Sequence, residues 1–569
     1  MKIRLKIFGI VFAVGILGLI ARLFFWQVLH ASDLTREGKL QYQRSTSVIA
    51  RRGSILASDG TWLTTDENDW TLFATKPNLK EDVRIIANKL APYLVDDIKD
   101  RDKLTLEASR IEGVLNGSAV WLPIKHRVSN DTKKQIEGLN ISGLGFDPEP
   151  GRTYPEGSSS AHILGFVGKD DAGNNKGYSG LEGFYDLTLT GKPGFMNRES
   201  DANGTPILFG DSKQIDATHG VDLITNIDKT IQLTVEKELK KGMESYEAKS
   251  GNVIVMDPKT GAILAMASLP SYDPAKYWEY SNDDFKNPSI SDTYEPGSIF
   301  KPIIMAAALD ANLVKPDTKC DICDGPFKID KYEIQTWNNE YHPDSSMTDV
   351  IVNSDNVGMV FVGNKLGQEK MYDYLNKFGI GKATGVDLQG EVNLPLRQKG
   401  TWSDIDLATT TFGQGIAVTS LQVLRAVSVI ASGGKIVRPE VVRQIKSGDW
   451  SSTIEPQVGD RVISPQAAKD IKDMMVQAVS RGEAKWTVPA GFKIAGKTGT
   501  AQIPVAGHYD ATKTIASFVG FAPADDPKFV MLVTLYEPTS SIWGAETAAP
   551  LWMNIAKDLF PYLGIQPDN

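Results

Sequence analysis

Apolar positions divide the chain into one long apolar run near the N-terminus and two longer stretches of mixed patterning. Residues 7–29 are apolar apart from Arg22 and Gln27. As a helix this run would span roughly 34 Å, enough for about 30 Å of bilayer hydrocarbon. Basic residues precede it, which places the N-terminus in the cytoplasm by the positive-inside rule: Lys2, Arg4 and Lys6.

The apolar run has two interpretations, an uncleaved anchor or a cleaved signal peptide. No A-x-A-like site follows it, and Phe24, Phe25 and Trp26 suit an anchor at the membrane interface. We therefore predict a cytoplasmic tail at 1–6, a single transmembrane helix at 7–29, and an extracytoplasmic remainder. Arg22 either extends its charge to the interface or pairs with a polar group of a membrane partner.

The stretch from residue 30 to 220 mixes strand-like and helical patterns and is predicted to form one mixed domain. Strands are expected at 70–74 and 119–124, a helix at 79–90, and a Gly/Asn/Asp-rich loop at 170–177. No catalytic spacing occurs in it. The segments around Arg52 and Arg152 are interpreted as structural.

The stretch from 221 to 569 predicts an α+β domain, with a helical cluster packed on an antiparallel sheet. Residues 252–256 and 262–268 read as a hairpin. Residues 298–311, after the helix-start signal Pro296-Gly297, are apolar on nearly every side, which is typical of a core helix. Further helices are predicted at 421–432, 464–478 and 548–560, and further strands at 493–502, 514–521 and 529–536.

Composition narrows the class of protein. The chain has 569 residues, 41% apolar and 23% charged, which indicates a globular protein with more than one domain. Its net charge of -9 argues against a nucleic-acid partner. Cys320, Cys323 and His342 supply at most half of a zinc site, so structural thiols or a local disulfide are favoured. We expect no metal and no cofactor.

Three short motifs stand in order along the second stretch. Together they are the signature of enzymes that form a penicilloyl-serine: Ser298-Ile299-Phe300-Lys301, Ser354-Asp355-Asn356 and Lys497-Thr498-Gly499-Thr500.

The spacing within the first motif suits a serine nucleophile. A lysine three residues after Ser298 lies on the same helix face, and it can act as a base only when uncharged. Burial and a neighbouring cation both lower a lysine pKa, and Lys497 is the candidate cation. Each motif also has a plain interpretation. Ser298 could be an N-cap with Lys301 on the surface, the second motif could be a turn, and the third could open any edge strand.

From residue 51 onward the chain resembles the class B penicillin-binding proteins, which are membrane-anchored peptidoglycan D,D-transpeptidases. That family has an N-terminal pedestal and a transpeptidase domain like that of serine β-lactamases. The supporting phrases are Arg52-Gly53-Ser54-Ile55, Gly180-Leu181-Glu182, Tyr294-Glu295-Pro296-Gly297-Ser298, Phe412-Gly413-Gln414-Gly415 and Ala548-Ala549-Pro550.

Within the family, three segments are similar to the cell-division branch more than to the elongation branch: 354–358, 413–419 and 517–520. The resemblance implies a role in septal wall synthesis and covalent inhibition by β-lactams. It also implies a polytopic glycan polymerase and other division proteins as partners.

The resemblance implies a role for each motif residue. Ser298 attacks the carbonyl between the terminal D-alanines of a stem peptide, Lys301 takes its proton, and Ser354 relays that proton to the leaving D-alanine. Asn356 binds the substrate amide and helps hold Lys301. The third motif supplies positive potential at Lys497 and carboxylate-binding hydroxyls at Thr498 and Thr500. The oxyanion hole is formed by two backbone N–H groups, those of Ser298 and Thr500.

Other functions remain open at this point. These are an elongation-branch transpeptidase, a D,D-carboxypeptidase, a β-lactam hydrolase, and a scaffold or antibiotic sensor without activity. Glu391 follows the second motif as the deacylating glutamate of some lactamases does, but Pro395 stands where that pattern has asparagine. Glu391 is therefore interpreted as a loop residue.

Overall fold

The computed structural model describes residues 1–95, 97–199, 212–505 and 508–567. The chain divides into two units. One comprises residues 1–52 with 190–220, and the other comprises 53–189 with 221–569. The predicted domain limits after residues 6, 29 and 220 stay predictions. Parts of two predicted domains, residues 200–211 and 568–569, lie outside the described residues.

The first unit begins with one continuous helical segment. An α-helix at Lys2–Phe24 runs into a π-helical turn at Phe25–Leu29, and together they are long and apolar enough to cross a membrane. The predicted run at 7–29 lies within them. The next element is the helix Ala31–Tyr42. An antiparallel three-stranded sheet follows, in the order Gln43–Val48, Gly194–Glu199 and Ser212–Ile215.

The second unit contains a mixed sheet built around the long strand Trp62–Thr75. It pairs antiparallel with Trp121–Val128 and with Leu144–Thr153. In the second pairing, Leu72 lies opposite Phe146. The strands that continue this sheet are Ile55–Leu56, Asp222–Thr225, Val442–Ser447 and Trp450–Thr453. The helices Val83–Leu94, Arg101–Leu115 and Asn130–Glu137 complete this part.

The structure shifts several predicted boundaries here. The helix predicted at 79–90 begins at Val83, because the Asp82 carboxylate accepts the N–H of Arg84 and caps it. The loop predicted at 170–177 extends too far, because its last three residues belong to the strand Asn175–Tyr178. Asp170 accepts the N–H groups of Ala172 and Asn174, which closes a tight turn between the strands Phe166–Lys169 and Asn175–Tyr178.

Arg152 has the structural role that was predicted. It is 6% exposed, and its guanidinium lies 2.6 Å from the Glu182 carboxylate and 3.0 Å from that of Asp66. One buried carboxylate and one largely buried carboxylate therefore neutralise one buried cation. Three short helices lie in the same part of the chain: Ala161–Leu164, Gly180–Phe184 and Asp186–Leu189.

A five-stranded antiparallel sheet forms the centre of the unit. Its order is Ile263–Leu269, Ser250–Met256, Phe529–Tyr536, His508–Ala522 and Ala495–Val505. Side chains alternate between its faces. Val253 and Val255 join the core with the helices Lys229–Tyr246 and Ala548–Tyr562, whereas Ile254 and Met256 join the larger core on the opposite face. Both faces are therefore covered.

The larger core is made by the helical cluster, which confirms the predicted α+β fold. Its members are Pro288–Ser291, Lys301–Asp310, Met347–Val352, Asn356–Lys377, Asp404–Thr410, Ser420–Ala431 and Pro465–Arg481. The predicted single helix at 298–311 begins instead as a 3-10 turn at Gly297–Phe300. Pro302 sits in the first turn of the α-helix that follows, where its missing N–H costs nothing.

The cysteines form a disulfide between Cys320 and Cys323, with Cα atoms 5.7 Å apart and both side chains buried. The local-disulfide alternative is thus the one present. Within the described residues, no group of three His, Cys, Asp or Glu side chains could hold a metal ion. Two small two-stranded sheets remain, Phe327–Ile329 with Tyr332–Ile334 and Lys435–Val437 with Val458–Arg461.

Candidate active site

Ser298 lies in the 3-10 turn Gly297–Phe300, half-buried, between residues that fix the turn from both sides. Ile299 and Phe300 are fully buried in the larger core. The N–H of Gly297 donates to the carbonyl of Gly413 at 3.0 Å. A Cβ on Gly413 would lie 2.3 Å from the Gly297 carbonyl oxygen, so only glycine permits this approach. Ser298 is neither an N-cap nor free to move with a loop.

The segment before Ser298 is also held. Tyr294 and Val418 exchange two backbone hydrogen bonds of 3.0 Å. The Glu295 carboxylate accepts the N–H of Gly415 at 2.9 Å and the hydroxyl of Tyr509 at 3.0 Å. The segment 413–419, which is similar to the cell-division branch, therefore supports the serine turn.

Lys301 is fully buried, so the interpretation of it as a surface lysine is wrong. Its Nζ donates to the carbonyl oxygen of Ser354 at 2.5 Å and to Oδ1 of Asn356 at 2.8 Å. The Oγ of Ser354 lies 3.2 Å from the same Nζ. The first motif and the second motif thus meet through one amine.

The second motif is the start of a helix and not a free turn. Ser354 has a φ of 55°. The Asp355 carboxylate accepts the N–H groups of Val357 at 2.8 Å and Gly358 at 3.1 Å, which caps the helix Asn356–Lys377. Sequence reasoning missed this cap, although an Asp directly before an apolar helical run is its usual signal.

Asn356 uses both ends of its side-chain amide. Its Oδ1 accepts from Lys301, and its Nδ2 donates to the carbonyl of Gln335 at 2.9 Å. The amide is therefore fixed in one orientation, because reversing it would place a donor against the lysine ammonium.

The third motif lies on the edge strand Ala495–Val505 of the five-stranded sheet, with Lys497 opposite Val519 and Thr500 opposite Ala516. Its backbone packs directly on the serine turn. A Cβ on Gly499 would lie 2.8 Å from Cγ2 of Ile299. The third motif is therefore adjacent to the first, although 199 positions separate Ser298 from Lys497.

A later segment covers the third motif. The N–H of Gly544 donates to Oγ1 of Thr500 at 3.0 Å, and a Cβ on Gly544 would lie 2.2 Å from the Gly499 carbonyl. The ring of the adjacent Trp543 contacts that of Trp337 at 5.3 Å between centroids. No spacing in the sequence indicated these contacts.

The electrostatics of the two lysines agree with the sequence argument. Burial, and then the charge of Lys497, hold the pKa of Lys301 well below its usual value, while Asp355 and Glu483 oppose the shift. Burial also lowers the pKa of Lys497, against the charge of Glu483. Sequence reasoning did not single out Glu483, which acts on both lysines.

Glu391 is occupied within its own loop. Its carboxylate accepts the N–H and the hydroxyl of Thr384, and the N–H of Gly385 at 3.0 Å. Three donors fix this carboxylate in a structural role, in agreement with the interpretation of Glu391 as a loop residue.

Comparison with known proteins gives the family. The family model for the penicillin-binding protein transpeptidase domain matches residues 251–560, and that for the penicillin-binding protein dimerisation domain matches 47–225. This chain belongs to the class B penicillin-binding proteins. The predicted resemblance is confirmed.

Individual relatives align over almost the whole chain. Stage V sporulation protein D of Bacillus subtilis is 32% identical over 96% of this chain and 83% of its own length. Peptidoglycan D,D-transpeptidase FtsI of Escherichia coli is 30% identical over 97% of this chain and 90% of its own.

Penicillin-binding protein 2X from Streptococcus thermophilus has the same fold. Its crystal structure covers 92% of this chain and 80% of its own, with a TM-score of 0.75 at 24% identity.

Proposed function

We propose that this class B penicillin-binding protein is a serine-type peptidoglycan D,D-transpeptidase. The observation that carries the proposal is the buried Nζ of Lys301, held against Ser354 and Asn356 one helical turn from Ser298. Burial lowers the pKa of Lys301, which favours the neutral amine that a base requires, and the serine one turn away is the nucleophile that this base would activate.

In the proposed acylation, the Oγ of Ser298 attacks the carbonyl between two terminal D-alanines of a stem peptide. Lys301 takes the hydroxyl proton, and the Ser354 hydroxyl, 3.2 Å from the lysine Nζ, relays a proton to the departing amine. The C–N bond breaks, D-alanine leaves, and an ester remains on Ser298. The amine of a second stem peptide then attacks that ester, which forms the cross-link and returns the proton to the site.

The remaining motif residues bind the substrate in this proposal. Lys497 supplies positive potential, and the hydroxyls of Thr498 and Thr500 bind the terminal carboxylate. The hydroxyl oxygen of Thr500 accepts the N–H of Gly544. The hydroxyl proton of Thr500 therefore points away from Gly544 and can be donated to the substrate carboxylate. The N–H groups of Ser298 and Thr500 form the oxyanion hole, and a donor of this kind contributes about 2.7–4 kcal/mol in the transition state. Asn356 also orients the substrate amide.

β-Lactams are proposed to acylate Ser298 in the same way. We further propose that residues 1–6 are cytoplasmic and that everything after residue 29 is extracytoplasmic, on the strength of Lys2, Arg4 and Lys6. A reporter fused after Asn569 that is active only in the cytoplasm would contradict this orientation.

The branch proposed is septal, with a polytopic glycan polymerase and other division proteins as partners. Its support is the similarity of segments 354–358, 413–419 and 517–520 to division enzymes. A second candidate follows from the relative named as a sporulation protein, which aligns over 96% of this chain. Depletion separates the two, because a septal enzyme is needed in every dividing cell.

One experiment tests the reaction itself. The full chain in detergent is given uncross-linked glycan strands that bear pentapeptide stems, and the products are analysed by mass spectrometry. A transpeptidase yields cross-linked dimers together with free D-alanine. D-alanine without dimers would show a carboxypeptidase, and no product beside normal penicillin labelling would show a sensor. The Ser298→Ala variant should yield neither product.

A further inference from the structure

A cavity of about 300 Å³, apart from the active site, opens between the hairpin that ends at Tyr178 and the segment 282–291. None of the motif residues lines it. Its volume falls at the lower end of the range for small-ligand sites, about 300–1,000 Å³.

The inner wall of this cavity consists of aromatic rings fixed against one another. The rings of Phe166 and Tyr178 stack at 5.5 Å with an interplanar angle of 18°. Phe285, which also lines the cavity, lies 4.5 Å from Phe166, and Tyr277 stacks on Phe166 at 4.7 Å. Flat, rigid ring faces bind an apolar face at little entropic cost.

The rim of the cavity is polar but carries little net charge. Asn282 and Gln389 present neutral side-chain amides, and the described residues give neither amide a hydrogen-bond partner. The one cation at the rim, Lys286, donates to the Asp283 carboxylate at 2.7 Å. This chemistry does not suit an anion or a lipid tail. It suits a ligand with flat apolar faces and many neutral hydroxyl and amide groups.

A backbone hydrogen bond joins two of the segments around the cavity, so that the cavity is formed before any ligand binds. The N–H of Gln389 donates to the carbonyl of Gly180 at 3.1 Å. Ser179, on the lining, has φ 54° and ψ 171°, a region that only glycine adopts without strain. The structure thus holds a serine in a strained conformation at this point of the wall.

The cavity is continuous in sequence with the segment that carries the nucleophile. Its lining includes Ser291, seven residues before Ser298. The N–H of Val392 donates to the carbonyl of Ile290 at 3.1 Å, which ties the Gln389 side of the rim to the same segment.

We propose that this cavity is a glycan-binding site that takes N-acetylated sugar rings of the strand whose stem peptide acylates Ser298. The aromatic wall stacks on the C–H faces of a sugar ring, and the amides of Asn282 and Gln389 pair with its hydroxyl and acetamido groups. The inference rests on the proposed function for the identity of the strand, but the binding itself needs no catalysis.

The test measures binding of chitotetraose, an oligomer of β-linked N-acetylglucosamine, to the full chain in detergent by isothermal titration calorimetry. Maltotetraose, which lacks acetamido groups, is the control sugar. The double variant Asn282→Ala/Gln389→Ala removes the rim amides, and Tyr178→Leu replaces a flat ring with an apolar side chain. The matched control, Asn88→Ala/Gln466→Ala, removes two amides elsewhere. Penicillin labelling confirms that the cavity variants and the matched control are folded, and thermal unfolding does so for Ser298→Ala.

The glycan site predicts saturable binding of chitotetraose in preference to maltotetraose. Its affinity should fall about tenfold or more in both cavity variants, since each loses at least one net interaction, and stay unchanged in the matched control and in Ser298→Ala. Absence of saturable binding, equal binding of the two sugars, or unchanged affinity in the cavity variants would overturn it. Penicillin labelling of Ser298→Ala would overturn the proposed nucleophile and leave the glycan site standing.

Discussion

The amine of Lys301 donates a 2.8 Å hydrogen bond to the side-chain oxygen of Asn356, and no part of the lysine reaches solvent. The amide oxygen orients the lysine without contributing a full charge. A carboxylate in its place would favour the charged lysine and remove the base. The identity of residue 356 therefore contributes to both the position and the basicity of Lys301.

This relationship gives the first prediction. Asn356→Asp should raise the pKa of Lys301, so that acylation at neutral pH slows by about 10²–10⁴, the usual contribution of a general base. The rate should recover as pH increases, because the neutral lysine returns. Asn356→Ala should also slow acylation, but without an alkaline shift. Stopped-flow acylation by a fluorescent penicillin across pH tests both, and matching pH profiles for Asp and wild type would refute the argument.

The second prediction concerns the neighbouring cation. Since the charge of Lys497 helps lower the pKa of Lys301, Lys497→Gln should raise that pKa. The neutral fraction of Lys301 at a given pH then falls, and the rising limb of the pH–rate profile moves to higher pH. Lys493→Gln is the control, because Lys493 is paired with Asp525 at 2.8 Å on the surface. If the rising limb of the pH–rate profile does not move in Lys497→Gln, the charge of Lys497 does not lower the pKa of Lys301.

The third prediction is that the disulfide is structural. Replacing Cys320 and Cys323 with serine opens a very short loop, for which chain entropy gives about 1–2 kcal/mol. Thermal unfolding should shift by a few degrees, with the acylation rate of the folded protein unchanged. A variant that folds normally but acylates slowly would assign the disulfide a role in the site.

The fourth prediction concerns the lifetime of the penicilloyl-enzyme. The Glu391 carboxylate is taken up by Thr384 and Gly385, so it does not activate a water for deacylation. The adduct should persist for hours by mass spectrometry, in wild type and in Glu391→Ala alike. That variant should lose stability instead, by about 1–3 kcal/mol for each buried donor left unpaired. Loss of the adduct within seconds, reversed by Glu391→Ala, would indicate a lactamase.

Much of the site could be predicted from the sequence because its chemistry is local. The spacing of Ser298 and Lys301 places both on one helix face, and the apolar run after Ser298 predicts burial of the lysine. The contacts of Gly544 with Gly499 and Thr500 could not be predicted, because they depend on how a loop folds back over an edge strand.

Boundaries were harder to predict for a similar reason. The run at 298–311 is uniformly apolar, so its pattern does not separate the 3-10 turn Gly297–Phe300 from the α-helix Lys301–Asp310. The boundary is marked by the N–H of Lys301, which donates to the carbonyl of Ser298 three residues back, and an apolar pattern does not distinguish this short bond from the bonds of an α-helix.

The most direct test of the central claim, that Ser298 is the nucleophile, is fluorescent penicillin labelling of membranes that carry wild type, Ser298→Ala or Ser451→Ala. Ser451 is an exposed serine on a surface strand and serves as the matched control. A covalently labelled band is expected in wild type and in Ser451→Ala, and none in Ser298→Ala at equal protein level and equal thermal stability. A labelled band in folded Ser298→Ala would contradict it.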